Sequence, residues 1–509
     1  MKSLSLAKHS VQADKAFILR FHHLFTTMKS MVDRYRCGKR EIVVAASATA
    51  VYQINRNGSL DCVSDFMSIK NNNSLKILYV ILDGIGDLPH KSINNLTPLE
   101  ASSTPNLDYL AKNGIMGQVI TVGKGIAPQS DIAVFNMLGY NFKDVPYVGR
   151  GVVESIGCGI DFKAGDLALR GNFATVDENQ YILDRRAGRL ITNEEAQSLC
   201  KTLNSEISLN DSDASVVVMP TIAHRVTIRF RHNKIKLSNE ITNTDPAYDK
   251  VNGMGIAKTD ISEMRVLKSI PQNNDICSKI TSDIVNDFTN QTYLLSKDHP
   301  VNKARKERNL NAMNCILVRD AGNAIPNYDA INEKYNMKVA CIVDMPVEIG
   351  ISKILGMESI EAGSVNDYIT KAKVTAKELE NYNLIYVHIK GPDEFGHDGD
   401  ALGKKENIEK IDKDFFGTLL KELKDSNVVI VVSGDHSTPC IKKSHSDDPV
   451  PLLVSGKSIQ TNDKNNDNNN KNSQRFTESF AKKGLIGTIN GFEVLRQTIK
   501  IIKENKKLV

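Results

Sequence analysis

A chain of 509 residues is longer than one ordinary domain, and a hydrophobic content of 41% is enough for a sizeable core. Its formal net charge is only +5 and it has no Trp, so a nucleic-acid surface of basic residues interleaved with aromatics finds no support. The eight cysteines form no CxxC pair, which argues against a thiolate zinc site or a disulfide framework and for a reducing compartment, and no apolar run reaches the about 18 residues of a membrane helix.

The first stretch differs from the rest. Residues 1–40 carry nine Lys/Arg against two acidic residues, Asp14 and Asp33. Basic, acid-poor starts occur in organelle transit peptides and also in variable extensions. Residues 1–74 are therefore expected to be an N-terminal extension, disordered or targeting, ahead of a core expected in the cytoplasm. The first core strand is KILYVILDG, ending on Asp83. Thr104, Pro105 and Gly114 mark the start and stop of a helix, and PQSDIAVFNMLGY (128–140) suggests a second helix opening at Ser130 or Asp131. From 161 to 314 the texture changes to alternating, β-branched segments such as 214–219 and 225–230, which reads as an inserted α+β domain. Core texture returns at 315–318 and 339–343, followed by a helical stretch over 344–357 that contains Gly350. Two further runs, NLIYVHIKGPDEFGHDGD (383–400) and NVVIVVSGDHSTPC (427–440), again close an apolar strand with carboxylate and imidazole. The Asn-rich segment 456–474 is expected to be a disordered loop, and 478–483 and 491–503 to be closing helices.

Val/Ile/Leu runs that are apolar at every position read as buried strands of a mostly parallel sheet. Such sheets place ligands beyond the carboxyl ends of their strands. Three strand ends then offer Asp83, Asp393, His397, Asp435 and His436 to one crevice, with Ser130 and His445 able to join. Asp393 and His397 are four apart and share one face of a helical turn. Carboxylate with imidazole suits Zn²⁺ or Mn²⁺, whereas an all-oxygen set suits Mg²⁺ or Ca²⁺. There are enough ligands for two metals about 3.5–4 Å apart, as in enzymes that act on phosphate. Ser130 is the candidate nucleophile, since a metal on its oxygen would ionise it and a helix N-terminus would favour the phosphorylated form. Alone, each of these residues would read as a capping or surface group.

These motifs carry a resemblance. LDGIGD (82–87), TPLEASSTPNLDYLAKNG (97–114), APQSDIAVFNMLGY (127–140), GRGVVESIGCGI (149–160), RGNFATVD (170–177), DRRAGR (184–189), HIKGPDEFGHDGD (388–400) and GDHSTPCIKKSHSDDPVP (434–451) resemble the archaeal-type cofactor-independent phosphoglycerate mutases of the alkaline phosphatase superfamily. The resemblance spans 75–509 apart from the Asn-rich loop. It implies an α/β fold with a doubly wound, mostly parallel core (75–160 and 315–509) and an inserted α+β substrate-binding or lid domain (161–314). It implies that Asp393, His397 and His445 hold one metal, that Asp83, Ser130, Asp435 and His436 hold the other, and that Ser130 accepts the phosphoryl group. The implied cofactors are two divalent cations, Mn²⁺ first, with Zn²⁺, Co²⁺ or Mg²⁺ as alternatives, and no bisphosphoglycerate. The implied partner is a small molecule, phosphoglycerate, with no nucleic acid and no membrane; nothing in the sequence indicates the oligomeric state. Arg170, Arg185, Arg186, Arg189, His224, Arg225 and Lys390 are the candidate substrate contacts, since Arg grips carboxylate or phosphate bidentately. Arg150 in its Gly-Arg-Gly setting is a further candidate, with a structural turn as the alternative. Gln129 stands where the family usually has glycine, and so does Asp447. A phosphatase or another phosphomutase would keep the same metal set, and a catalytically dead scaffold would be expected to lose part of it.

Overall fold

A computed structural model describes residues 75–142, 147–251, 254–258, 264–424, 426–459 and 474–506, with four short strands before them. The chain divides into two compact units, Met1–Ser74 and Leu75–Val509. In the first, β1 (Val32–Cys37) pairs antiparallel with β2 (Arg40–Ala45), and β3 (Val51–Ile54) with β4 (Leu60–Val63). The expectation for the rest of 1–74 lies outside the described residues, as does most of the expected 456–474 loop, where 460–473 are not described.

The second unit is built on an eight-stranded sheet. Its strands are β5 (Lys76–Leu82), β6 (Gly114–Ile120), β14 (Val339–Ile342), β15 (Glu358–Ile360), β16 (Leu384–Ile389), β17 (Val428–Gly434), β18 (Val450–Ser455) and β19 (Gly487–Asn490). The order is β15-β14-β16-β5-β17-β18-β6-β19, and β18 alone runs antiparallel to its neighbours. The unbroken apolar runs have the cause the sequence suggests. Ile77, Tyr79 and Ile81 of β5 enter the core on one face, and Leu78, Val80 and Leu82 enter a second core on the other. A strand covered on both faces has no position for a polar side chain until it leaves the sheet.

A second sheet carries β7 (Leu167–Val176), β8 (Ile182–Asp184), β9 (Ala214–Pro220), β10 (Arg225–His232) and β13 (Cys315–Gly322), in the order β13-β7-β10-β9 with β8 on β7. All of its pairings are antiparallel. Between β10 and β13 lies a small hairpin, β11 (Tyr248–Val251) with β12 (Met254–Ala257). Here the sequence reading needs correction. Residues 315–318 were expected to resume the core sheet, but they lie in β13, which pairs with β7 and closes the second sheet. Its apolar run reads the same in either place; partner choice is a long-range matter.

Helices Asn193–Glu206 and Ile276–Ser296 cover one face of the second sheet through Leu199, Leu203, Ile284 and Phe288. On the other face lies helix Arg150–Gly157, which also packs on helix Pro346–Leu355 of the first sheet. The crossing is close: a Cβ on Gly350 would stand 2.0 Å from the Val153 carbonyl oxygen. That is why a helix that includes Gly350 keeps its glycine despite the propensity cost. The helix ends fall where expected: the first helix spans Pro105–Lys112 with Thr104 at its N-cap and Gly114 just past its end, where it opens β6, and the second opens at Ser130 and spans Ser130–Met137 with Gln129 at its N-cap.

Candidate active site at the strand ends

β16, β5 and β17 are adjacent and parallel, so their carboxyl ends open side by side. Asp83 follows β5 directly. The next residue, Gly84, has φ +61°, and a Cβ there would lie 2.8 Å from the Asp393 backbone. Both the left-handed φ and the close approach demand glycine. Its amide donates to Asp435 Oδ1 at 3.0 Å, tying the β5 turn to the β17 turn. After β16 the chain turns through Gly391 into helix Pro392–Asp398, which presents Asp393 and His397 on one face with 3.6 Å between Oδ2 and Nε2. Asp435 and His436 follow β17, and His445 returns from the next loop to 3.4 Å from Asp393 Oδ1.

All seven sequence-predicted residues of the metal sets converge. Asp83, Asp435 and His436 form one group, wholly buried, and Asp393, His397 and His445 form the second. Ser130 Oγ lies 3.2 Å from His436 Nε2. The hydrogen-bond pattern tests whether cations fit. His397 Nδ1 faces the Lys443 carbonyl at 3.2 Å and His445 Nδ1 faces the Pro128 carbonyl at 2.7 Å. A carbonyl only accepts, so both rings carry their proton on Nδ1 and turn Nε2 inward. Those two Nε2 atoms stand 3.2 Å apart. In the first group, Asp83 Oδ1 and Asp435 Oδ2 are buried without a hydrogen-bond donor, at 3.5 Å and 3.3 Å from His436 Nε2. Lone pairs facing lone pairs, with ring N–H groups anchored behind them, are what a cation requires. Burial, and then the charge of Asp83, push the Asp435 carboxyl well above its ordinary range.

Among the described residues a third acidic and histidine group, Asp211, Asp213 and His232, has the wrong tautomer. His232 Nδ1 accepts from the Lys234 and Ile235 amides, so Nε2 carries the proton and donates it to Asp211 at 3.2 Å. Lys390, expected at the substrate, sits within the first group instead. Its ammonium is 3.0 Å from Asp83 and 2.6 Å from Glu348. Burial would lower its pKa, but those two carboxylates hold it well above the usual lysine range.

Beside Ser130 lies a buried arginine cluster. Arg150 donates to Gln129 at 3.2 Å and to Glu154 at 2.8 Å, and comes within 3.8 Å of Asp131. Gln129 thus gives the Arg150 fork an acceptor next to Ser130. Asp447 accepts from the Gly125 amide at 2.8 Å and ties its loop down. Arg170, Arg225 and Arg319 surround Arg150 and Glu154. Burial, and then the charge of Arg150, bring Arg170 down to about 9, and its Nε has no hydrogen-bond acceptor. Burial first, and the arginines second, hold His224 at about 3, hence neutral, with a buried Nδ1 that has no partner. Arg170 and Arg319 each keep a buried Nε without a hydrogen-bond acceptor, and guanidinium groups crowded in this way make a site that wants an anion. Arg185 spends its fork on Asp245, at 3.0 and 2.7 Å. Arg186 is half-buried and Arg189 exposed on the same turn.

Sequence reasoning missed Arg319 and Asp320. Arg319 is buried, lies 4.1 Å over the Tyr248 ring and reaches Asp245 at 3.2 Å. Asp320 is buried with neither carboxylate oxygen hydrogen-bonded, and its φ is +60° where β13 bulges. The signal was present: Cys-Ile-Leu-Val ends in Arg-Asp, an apolar run closed by charge like the other three.

A family model described as 2,3-bisphosphoglycerate-independent phosphoglycerate mutase matches residues 111–302. A relative of that name from Aeropyrum pernix is 38% identical over 439 residues, covering 84% of this chain and 100% of the relative. One from Methanocaldococcus jannaschii is 36% identical, with coverages of 85% and 98%. Among solved structures, a Pyrococcus horikoshii protein is similar with a TM-score of 0.66 at 28% identity, covering 84% of this chain and 98% of its own. The cofactor-independent phosphoglycerate mutase of Thermoplasma acidophilum gives 0.55 at 27% identity, with coverages of 84% and 100%.

Proposed function

The chain belongs to the family of 2,3-bisphosphoglycerate-independent phosphoglycerate mutases, and from that premise we propose that it interconverts 3-phosphoglycerate and 2-phosphoglycerate through a phosphoserine on Ser130. It is an isomerase of glycolysis that uses divalent metal and needs no bisphosphoglycerate. One observation carries the residue assignment: Ser130 Oγ stands 3.2 Å from His436, at the meeting point of two carboxylate and imidazole sets and an under-neutralised arginine cluster.

In this reading Asp83, Asp435 and His436, with Ser130, hold one cation, and Asp393, His397 and His445 the other. Divalent cations there, Mn²⁺ first, supply charge neutralisation for the transferring phosphoryl group and acidify a bound hydroxyl. The remaining work belongs to the chain. Ser130 Oγ bonds to phosphorus as the bond from phosphorus to the glycerate oxygen breaks. The amide end of helix Ser130–Met137 favours the anion so formed. Arg170, Arg225 and Arg319, with neutral His224, hold the glycerate carboxylate while the molecule turns and its other hydroxyl attacks the phosphoserine. Arg185 shares Asp245 with Arg319 and so supports the cluster from behind, with Arg186 and Arg189 on the same turn. Segment 161–314, joined by β13, acts as the arginine-bearing cover that keeps water from the phosphoserine. We place the enzyme in the cytoplasm; among the described residues no helix is long and apolar enough to cross a membrane.

The test uses 3-phosphoglycerate and Mn²⁺ with no bisphosphoglycerate, following 2-phosphoglycerate and free phosphate together. Isomer without phosphate, lost on chelation with EDTA, is the expected result. Release of phosphate alone would move the assignment to a phosphatase.

A further inference from the structure

We propose that Thr438 is a positioning residue whose single hydroxyl locks His436 in one tautomer and joins the two cation sets; this rests on the reading of those sets given above. Thr438 is fully buried. Its main chain is pinned at both ends: the amide donates to the Gly86 carbonyl at 3.0 Å, and its own carbonyl accepts from Lys404 Nζ at 2.9 Å. That ammonium is itself held by Asp87 at 2.7 Å in a buried ion pair. The side chain therefore has little freedom to leave its place.

From there Oγ1 reaches Asp393 Oδ1 at 2.6 Å and His436 Nδ1 at 3.0 Å. A hydroxyl has one proton. The Asp393 carboxylate only accepts, so that proton goes to Asp393, and Oγ1 must accept the N–H of His436 Nδ1. Nε2 of His436 is then bare. It faces Ser130 Oγ, Asp435 Oδ2 and Asp83 Oδ1 within 3.5 Å. Both of those carboxylate oxygens are buried without a hydrogen-bond partner. His397 and His445 receive the same tautomer from main-chain carbonyls, which no substitution at those carbonyl residues removes. His436 alone receives it from a side chain, and that side chain also orients a ligand of the other set.

Removing the hydroxyl should therefore weaken both sets. Thr438→Val keeps the shape and the methyl and puts a second methyl in place of the hydroxyl; Thr438→Ser keeps the hydroxyl and loses the methyl. Titration of the full-length protein with Mn²⁺ by calorimetry should show two equivalents for wild type, affinities about 10–100-fold weaker for Thr438→Val, and affinities within a few-fold of wild type for Thr438→Ser. Histidine ¹⁵N NMR of the cation-free protein should show the His436 proton on Nδ1 in wild type and Thr438→Ser, and lose that signature in Thr438→Val. A packing role predicts the opposite ranking, with serine the worse variant, and that ranking would overturn the proposal. So would wild-type affinity and an unchanged His436 signature in Thr438→Val. If wild type binds no Mn²⁺ at all, the reading of the ligand sets falls and this inference falls with it.

Discussion

Ser130 carries the reaction in the mechanism above, and its neighbours explain why a serine can. It is the first residue of its helix rather than the N-cap, so its Oγ is free to face His436. Ser130→Ala should lower turnover by at least about 10³-fold, the scale lost with a covalent nucleophile, while calorimetry still registers Mn²⁺ binding. Appreciable turnover by that variant would remove Ser130 from the mechanism. A second residue reports on stability. Glu478 accepts from Thr97 Oγ1 at 2.8 Å and from the Asp87 amide at 3.3 Å, yet burial pushes its carboxyl up to about 7. The folded chain then holds a proton that the unfolded chain, with an ordinary Glu near 4.3, releases. Stability from this group is greatest below about pH 4 and falls as pH rises toward 7, by roughly 3 kcal/mol in all. Glu478→Gln should accordingly raise the melting temperature by a few degrees at pH 8 and change little at pH 5. An equal effect at both pH values would show that burial of this carboxylate carries no such cost.

Strands supply the geometry. β16, β5 and β17 run side by side and end together, so three turns distant in sequence deliver five ligand side chains to one crevice, and His445 joins from the loop that follows the third. β13 does something different: its bulge turns Asp320 into the left-handed region and buries both carboxylate oxygens without donors. A non-glycine residue there costs of order 1–3 kcal/mol and persists where surroundings force it, commonly at functional sites. Arg319 Nε is 3.4 Å away, and Asp131, raised first by burial, also feels the Asp320 charge. Asp320→Gly should relieve the strain, raising stability by about 1–2 kcal/mol, and should lower kcat/KM several-fold as the arginine cluster loses its counter-charge. Chemical denaturation and steady-state kinetics would check both. Loss of stability together with activity would mark Asp320 as merely structural.

For the whole molecule, cations should act as part of the fold. Asp83 and Asp435 are buried, with Asp393 half-buried beside them, and a ligand bound only by the folded chain stabilises it by about 2.7 kcal/mol at 100 times its dissociation constant. The melting temperature should therefore climb with Mn²⁺ and drop back with EDTA. Asp435→Asn removes the carboxyl that burial and Asp83 disfavour. It should be at least as stable as wild type in EDTA and lose most of the rise with Mn²⁺. A rise equal to that of wild type would take Asp435 out of the ligand set.

The paired ligands were legible in the chain because they are local. Asp393 and His397 are one helical turn apart, Asp435 and His436 are adjacent, and a strand buried on both faces is apolar along its whole length and so announces where it ends. Other features depend on pairing across long separations. Cys315–Gly322 has the same apolar pattern whether it joins the core sheet or, as it does, β7. Arg185 looked as available as Arg170 until Asp245, sixty residues on, took its fork. Thr438 reads as an ordinary loop threonine, and only the meeting of the β5, β16 and β17 turns puts Asp393 and His436 on either side of its hydroxyl. Local periodicity and adjacency fix which residues are offered at each strand end. Which of them face one another, and which charges stay unpaired, is set by burial and by contacts between segments that the order of residues alone does not bring together.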